Sequence, residues 1–332
     1  MGLFGKKDKL QIINFQSYGT DTHLYVRGRA LEDENIDLAH KGLLRLLWNS
    51  FKRFETDEVK NTKLRLTLPD DRVFYTETDN EGYFKFDIQT PKLMVLANSE
   101  GWLNFELAFE EGNLKREISR ENRFSGEVLI PANKVDFGVI SDIDDTILQT
   151  GVVSLLKWRV VINTFFKNAA KRVPLKGAAE FYHLLHRGKS GANANPLFYV
   201  SHSPWNLYRY LDFFLTENNF PKGPILLRSM SSFRPGNSKK PHKQNEILDI
   251  LKTYPDMKFI LIGDSGEKDA DIYKDIAEKH PDRISAIYLR TVNHKKKIRR
   301  IEGLISEFKI TPMVLVKTST QAIEHAKGNG FI

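Results

Sequence analysis

The chain has 332 residues, 41% of them hydrophobic and 28% charged, an ordinary balance for folded domains and enough length for two cores. It contains no cysteine, which excludes disulfides, thiolate metal sites and cysteine nucleophiles and fits a reducing compartment. A formal charge of +8 favours polyanionic company, whether phospholipid, nucleic acid or a phosphorylated small molecule.

Met1 to Lys9 lacks the apolar core of a secretory signal and has no Ser or Thr at the sixth position, which argues against secretion and against myristoylation. The expected location is cytoplasmic, with a peripheral place at a membrane surface open to it, because no apolar run is long enough to span a bilayer.

Short alternating runs fill residues 10 to 131: Leu10 to Phe15, His23 to Ala30, Lys63 to Leu68, Arg72 to Thr76, Tyr83 to Ile88, Trp102 to Phe109 and Glu127 to Ile130. In the Trp102 to Phe109 run, Leu103, Phe105, Leu107 and Phe109 share one face, and Asp79 to Gly82 supplies a turn between two neighbouring runs. The pattern predicts an antiparallel β-sandwich as the first domain, residues 1–132. One insertion breaks the alternation. Residues 36–54 have helical spacing, with Leu43, Leu47, Phe51 and Phe54 in a stripe flanked by Lys41, Arg45, Lys52 and Arg53. Such a helix either packs on a core or lies in a membrane interface.

From residue 133 to 332 the pattern changes to strands alternating with helices, which predicts an α/β domain with a doubly wound parallel sheet and right-handed crossovers. Ligands in such sheets bind beyond the carboxyl ends of the strands, and the residues with chemistry to offer gather there. Phe137 to Thr146 is an apolar strand ending in carboxylates, and period-two alternation sends Asp142 and Asp144 to one face. Leu197 to Ser201 is a second buried run ending in a hydroxyl. His202, Ser203, Pro204 and Trp205 follow, where Ser203 suits a helix cap and Pro204 a first helical position, so that Ser201 meets converging N–H groups. Lys243 opens a helix whose Ile247, Leu248 and Leu251 share a face; a cation at that end opposes the helix dipole, and an anionic ligand is one reason for its placement. Phe259 to Asp264 is a third strand ending in Gly-Asp, with Asp269 five positions on, and hard oxygen ligands of this kind suit magnesium.

These four elements resemble the haloacid dehalogenase superfamily of phosphotransferases. Within it, the wording around Ser141 to Thr146, Tyr199 to Tyr208 and Gly263 to Asp269 is similar to the branch of actin-patch-associated phosphatidate phosphatases and their bacterial relatives, over roughly residues 135–330. The resemblance implies a magnesium-dependent phosphomonoester hydrolase working through an aspartyl-phosphate, with phosphatidate as substrate and diacylglycerol and phosphate as products. It implies Asp142 as nucleophile, Asp144 as acid and base, and Ser201 and Lys243 as phosphate holders. Mg2+ would sit between Asp142, the backbone carbonyl of Asp144 and Asp264, with Asp269 in the outer shell. Thr146, His202 and Arg228 are the expected substrate contacts.

Residues 150–173 occupy the place where this superfamily inserts a cap; here the insert is small and helical, and Trp158, Phe165 and Phe166 lie among Lys157, Arg159, Lys167, Lys171 and Arg172. Those aromatics serve either a core face or an anionic interface. A basic stretch, His294 to Arg300, is either solvated or meets phosphate groups. Two other functions fit the same chain: a phosphatase for a soluble or nucleic-acid phosphomonoester, and a membrane- or partner-binding module in which the phosphatase domain is regulatory. No protein partner is readable from the sequence.

Overall fold

The computed structural model describes residues 9–33, 58–110, 116–132, 134–144, 146–147, 176–228, 241–266, 268–291 and 295–332. The expected amphipathic helix 36–54 and helical cap 150–173 lie outside the described residues. The chain divides into two compact units, Met1–Ala132 and Asn133–Ile332. Among the described residues no helix is long and apolar enough to cross a membrane.

The first unit is built on β1 (Lys9–Thr20), β2 (His23–Asp33), β3 (Lys63–Thr67), β4 (Val73–Glu77), β5 (Tyr83–Gln89), β6 (Trp102–Phe109) and β7 (Phe124–Leu129). Alternation makes the core. Leu64 and Leu66 of β3 are fully buried while Lys63 and Arg65 between them are exposed, and Leu103, Phe105, Leu107 and Phe109 of β6 enter the same cluster. The β4–β5 turn is set by Asp79, whose Oδ1 accepts from the N–H groups of Glu81 and Tyr83 at 2.8 and 2.9 Å. Gly82 closes the turn at φ +75°, and a β-carbon there would meet the Ala30 carbonyl at 2.5 Å.

The expected antiparallel sandwich is corrected. The seven strands form one mixed sheet in the order β4-β3-β6-β7-β1-β2-β5, with β1 and β7 parallel through Ser17↔Val128 and Tyr18↔Leu129. The sheet curls until its edge strands β4 and β5 approach, bridged by Thr76 Oγ1 donating to the Lys85 carbonyl at 2.8 Å. β1 is 12 residues long with a register shift between Phe15 and Tyr18, and an irregularity of that kind bends a strand and raises its twist. A curled sheet and a two-sheet sandwich bury alternate residues alike, so alternation cannot separate them.

The second unit has six strands, β8 (Gly138–Asp142), β9 (Leu197–Pro204), β10 (Ile225–Arg228), β11 (Phe259–Asp264), β12 (Ile284–Arg290) and β13 (Met313–Val316). Its helices are α1 (Ala178–Arg187), α2 (Tyr208–Glu217), α3 (His242–Thr253), α4 (Asp269–Lys279), α5 (Lys295–Glu307) and α6 (Ser319–Gly328). All ladders are parallel, in the order β10-β9-β8-β11-β12-β13. Numbered within the unit this is 3-2-1-4-5-6, the doubly wound order, whose direction reverses between β8 and β11. Right-handed crossovers then put α1 and α2 on one face and α3, α4 and α5 on the other; α1 touches α6 and α3 touches α4. Every residue of β8 and β11 is buried, as strands covered on both faces require.

Candidate active site

β8 and β11 are neighbours in the sheet, paired up to Ser141↔Ile262, and each ends in an aspartate. Asp142 and Asp264 therefore leave the sheet side by side at the reversal of strand order, where adjacent connections part to opposite faces and open a crevice. Both are buried, Asp142 to 1% exposure and Asp264 to 0%. Gly263 precedes Asp264 because nothing larger fits: a β-carbon there would meet Asp269 Oδ2 at 2.6 Å and the Tyr273 ring at 2.7 Å.

Lys243, in the first turn of α3, is fully buried, and its Nζ lies 2.8 Å from Asp142 Oδ1 while donating to Asp269 Oδ1. A buried ammonium is tolerated only when paired, and two carboxylates flank this one. Where the sequence suggests an anionic ligand for this lysine, the contacts seen are two carboxylates of the chain itself. Asp269 is the first residue of α4, where the dipole favours a carboxylate, and its Oδ2 accepts from the Asp264 backbone N–H at 3.4 Å.

Asp142, Asp264 and Asp269 offer ligand oxygens that all lie within 4.8 Å of one another, and all three side chains are buried. Among the described residues the Lys243 ammonium pairs with two of these three carboxylates, so the cluster gathers more acidic than basic groups in a water-poor place. That excess, with oxygen donors only, fits a hard divalent cation such as Mg2+. Asp264 is further held by the Gly266 N–H, which donates to its Oδ1.

Asp144 stands apart from this cluster. Its Oδ2 accepts from the Ser201 hydroxyl at 2.7 Å and from the Ser203 hydroxyl at 3.4 Å. Ser201, fully buried in β9, in turn accepts from the Ser203 backbone N–H at 2.9 Å. The reading of Ser203 as a helix cap and Pro204 as a first helical residue is corrected. β9 continues through Pro204, a short 3-10 turn spans Trp205–Leu207, and α2 begins only at Tyr208. Ser203 instead braces Ser201 and Asp144. Thr146 donates to Asp142 Oδ2 at 3.1 Å, so it orients the first aspartate.

His202 and Arg228 sit together beside this centre. Arg228 ends β10 and pairs in register with Pro204, and the His202 ring lies 6.4 Å from that of His242. Burial, joined by the charges of Lys243, His242, Arg228 and Lys268, holds His202 down to about 3, so it is neutral at ordinary pH. Burial also lowers the Arg228 guanidinium, though that group stays cationic.

Two buried phenols that no sequence pattern singles out support the floor of the site. The Tyr182 hydroxyl of α1 meets Ser141 Oγ, which itself donates to the Asp142 carbonyl at 2.7 Å, and the Tyr273 hydroxyl of α4 donates to the Ile262 carbonyl at 3.0 Å. Burial raises both phenols, which remain neutral donors and acceptors. Each lies on the apolar face of an amphipathic helix, the sequence signal of an ordinary core residue.

With this geometry in place, residues 137–291 match the family described as "Phosphatidate phosphatase APP1, catalytic domain". The stretch runs from the start of β8 to just past β12 and takes in Asp142, Asp144, Ser201, Lys243, Asp264 and Asp269. Phosphatidate phosphatase APP1 of Saccharomyces cerevisiae is 34% identical over 209 residues, covering 58% of this chain and 34% of that protein. An uncharacterized protein of Schizosaccharomyces pombe is 28% identical over 225 residues, covering 66% of this chain and 34% of its own length. The chain thus spans about a third of the length of the curated relatives it matches. The stretch matched by that family model is the one that holds the clustered carboxylates.

Proposed function

We propose that this chain hydrolyses a phosphomonoester through an aspartyl-phosphate on Asp142, with Mg2+ as cofactor and phosphatidate as substrate. The observation that carries the chemistry is the pairing of two differently placed carboxylates: Asp142 against the Lys243 ammonium and two further aspartates, and Asp144 against the Ser201 hydroxyl. The choice of phosphatidate rests on likeness to the APP1 catalytic domain.

In the first half-reaction an oxygen of Asp142 attacks phosphorus, the bond from phosphorus to the diacylglycerol oxygen breaks, and Asp144 gives that oxygen its proton. In the second, Asp144 takes a proton from water as the water oxygen attacks phosphorus, releasing phosphate and restoring Asp142. The environment separates the roles. Lys243 beside Asp142 favours a charged nucleophile, and Thr146 fixes which oxygen it presents. Ser201 and Ser203 hold Asp144 where a leaving oxygen can reach it, and His202 and Arg228 offer a neutral and a cationic group for the substrate phosphate. Asp142, Asp264 and the Asp144 carbonyl would hold Mg2+ with Asp269 behind them, and the bound ion would neutralise charge developing on the phosphoryl oxygens.

The test is phosphate release at neutral pH, with and without Mg2+, from phosphatidate in mixed micelles against a panel of soluble phosphomonoesters. Magnesium-dependent release from phosphatidate well above every soluble ester is expected, with Asp142→Asn folded and inactive. Turnover retained by Asp142→Asn rejects the mechanism, and release from soluble esters alone rejects the substrate.

A further inference from the structure

Lys295 to Arg300 places five basic residues in six positions at the start of α5, with no acidic residue in the first turn. Cations there oppose the helix dipole and one another, so the arrangement is locally unfavourable. Two of the five are engaged in a way that explains their position. Lys297 Nζ donates to the Gly266 carbonyl, and Arg300 pairs with Asp271 in the first turn of α4. Gly266 and Asp271 stand on either side of Asp269, and Asp264 begins the same stretch of chain. α5 therefore grips at two points the segment that supplies two of the three clustered carboxylates.

The grip at Gly266 reaches one of those carboxylates directly. Gly266 accepts from Lys297 through its carbonyl and donates through its N–H to Asp264 Oδ1. Ser265, between them, donates its N–H to the Arg290 carbonyl at 2.8 Å, tying the same turn to the end of β12. The turn is fixed on one side by the sheet and on the other by the Lys297 side chain, and its hydrogen bond sets the rotation of the Asp264 carboxylate.

We infer that Lys297 is a positioning residue for the metal centre, acting through Gly266 to hold Asp264 in a cation-binding orientation. Resting on the reading of Asp142, Asp264 and Asp269 as a divalent-cation site, it adds a residue outside the four motifs. Groups that orient a metal ligand typically change affinity ten- to a hundredfold when removed. A lysine whose grip ends at a backbone carbonyl should act at the lower end of that range.

The test is Mg2+ and Mn2+ binding to the full chain by calorimetry, alongside the Mg2+ dependence of phosphate release. Lys297→Met keeps the length of the side chain and removes the donor; it should weaken cation binding about tenfold while leaving kcat at saturating Mg2+ within about threefold of wild type. Lys297→Gln, which retains a donor, should recover part of the affinity, and Lys296→Met, at an exposed neighbour, should bind as wild type does. A folded Lys297→Met with unchanged cation affinity overturns the inference while leaving the metal site standing. Should Lys297→Met fail to fold, Lys297→Gln decides by the same comparison, unchanged affinity in that variant and in a Lys297→Ser companion being the overturning result. A wild-type chain that binds neither cation removes the metal reading itself.

Discussion

Lys243 Nζ lies 2.8 Å from Asp142 Oδ1, and neither side chain is exposed by more than 1%. Removing one partner of such a pair leaves the other as an uncompensated charge. Lys243→Met should cost about 3–5 kcal/mol of stability, because Asp142 and Asp269 both lose their cation. Urea denaturation measures this, and Asp142→Asn, which removes a carboxylate and leaves Lys243 its second one, should cost less.

Ser201→Ala removes the 2.7 Å donor to Asp144 and the acceptor for the Ser203 N–H. With the acid group poorly placed, kcat should fall on the order of a hundredfold while far-UV circular dichroism is unchanged. A loss confined to KM would show instead that Ser201 serves binding alone.

Cation removal should have a thermal signature independent of turnover. The excess negative charge of Asp142, Asp264 and Asp269 is relieved on binding, so the unfolding midpoint should rise with Mg2+ and fall back with a chelator. At a hundred times Kd the stabilisation should be about 2.7 kcal/mol. Asp264→Asn should reduce that response.

His202 gives a pH prediction with a definite sign. Its folded-state value is depressed to about 3 from the ordinary 6.5, so between those values the unfolded chain carries a proton that the folded one does not. The folded form is at full strength in this respect above about pH 6.5 and weakens as pH falls, by up to about 1.4 kcal/mol per pH unit. His202→Gln should flatten that limb of a stability profile, and parallel profiles for the two proteins would refute the assignment.

Gly263→Ala is predicted to be the most damaging single-methyl change near the site, since the new carbon would lie 2.6 Å from Asp269 Oδ2 and 2.7 Å from the Tyr273 ring. Destabilisation of about 1–3 kcal/mol together with weakened cation binding is the expected outcome, read by denaturation and calorimetry.

Asp142 and Asp264 were legible because each closes a mostly apolar run, and a buried parallel strand leaves little choice about where its last residue points. The 201–204 segment was misread because Ser-Pro is also a common helix start; only the pairing of Arg228 with Pro204 shows that the strand runs on. The first unit's alternation located its strands but not their neighbours: Ser17 and Val128, far apart in the chain, are parallel partners, and no local pattern encodes that. Tyr182, Tyr273 and Lys297 resemble ordinary core and surface residues until the hydrogen bonds that employ them are seen.

The strand order of the second unit also bears on how the protein is made. Synthesis proceeds from β8 to β9 and β10, which build out on one side of β8, while its other side must wait for β11. Until Phe259–Asp264 has emerged, β8, whose residues are all buried in the finished sheet, presents an open hydrogen-bonding edge, and an open edge invites pairing with another chain. Nascent chains stalled before Asp264 should therefore be the aggregation-prone species, and the strand that covers the open edge of β8 is the same strand that brings Asp264 beside Asp142.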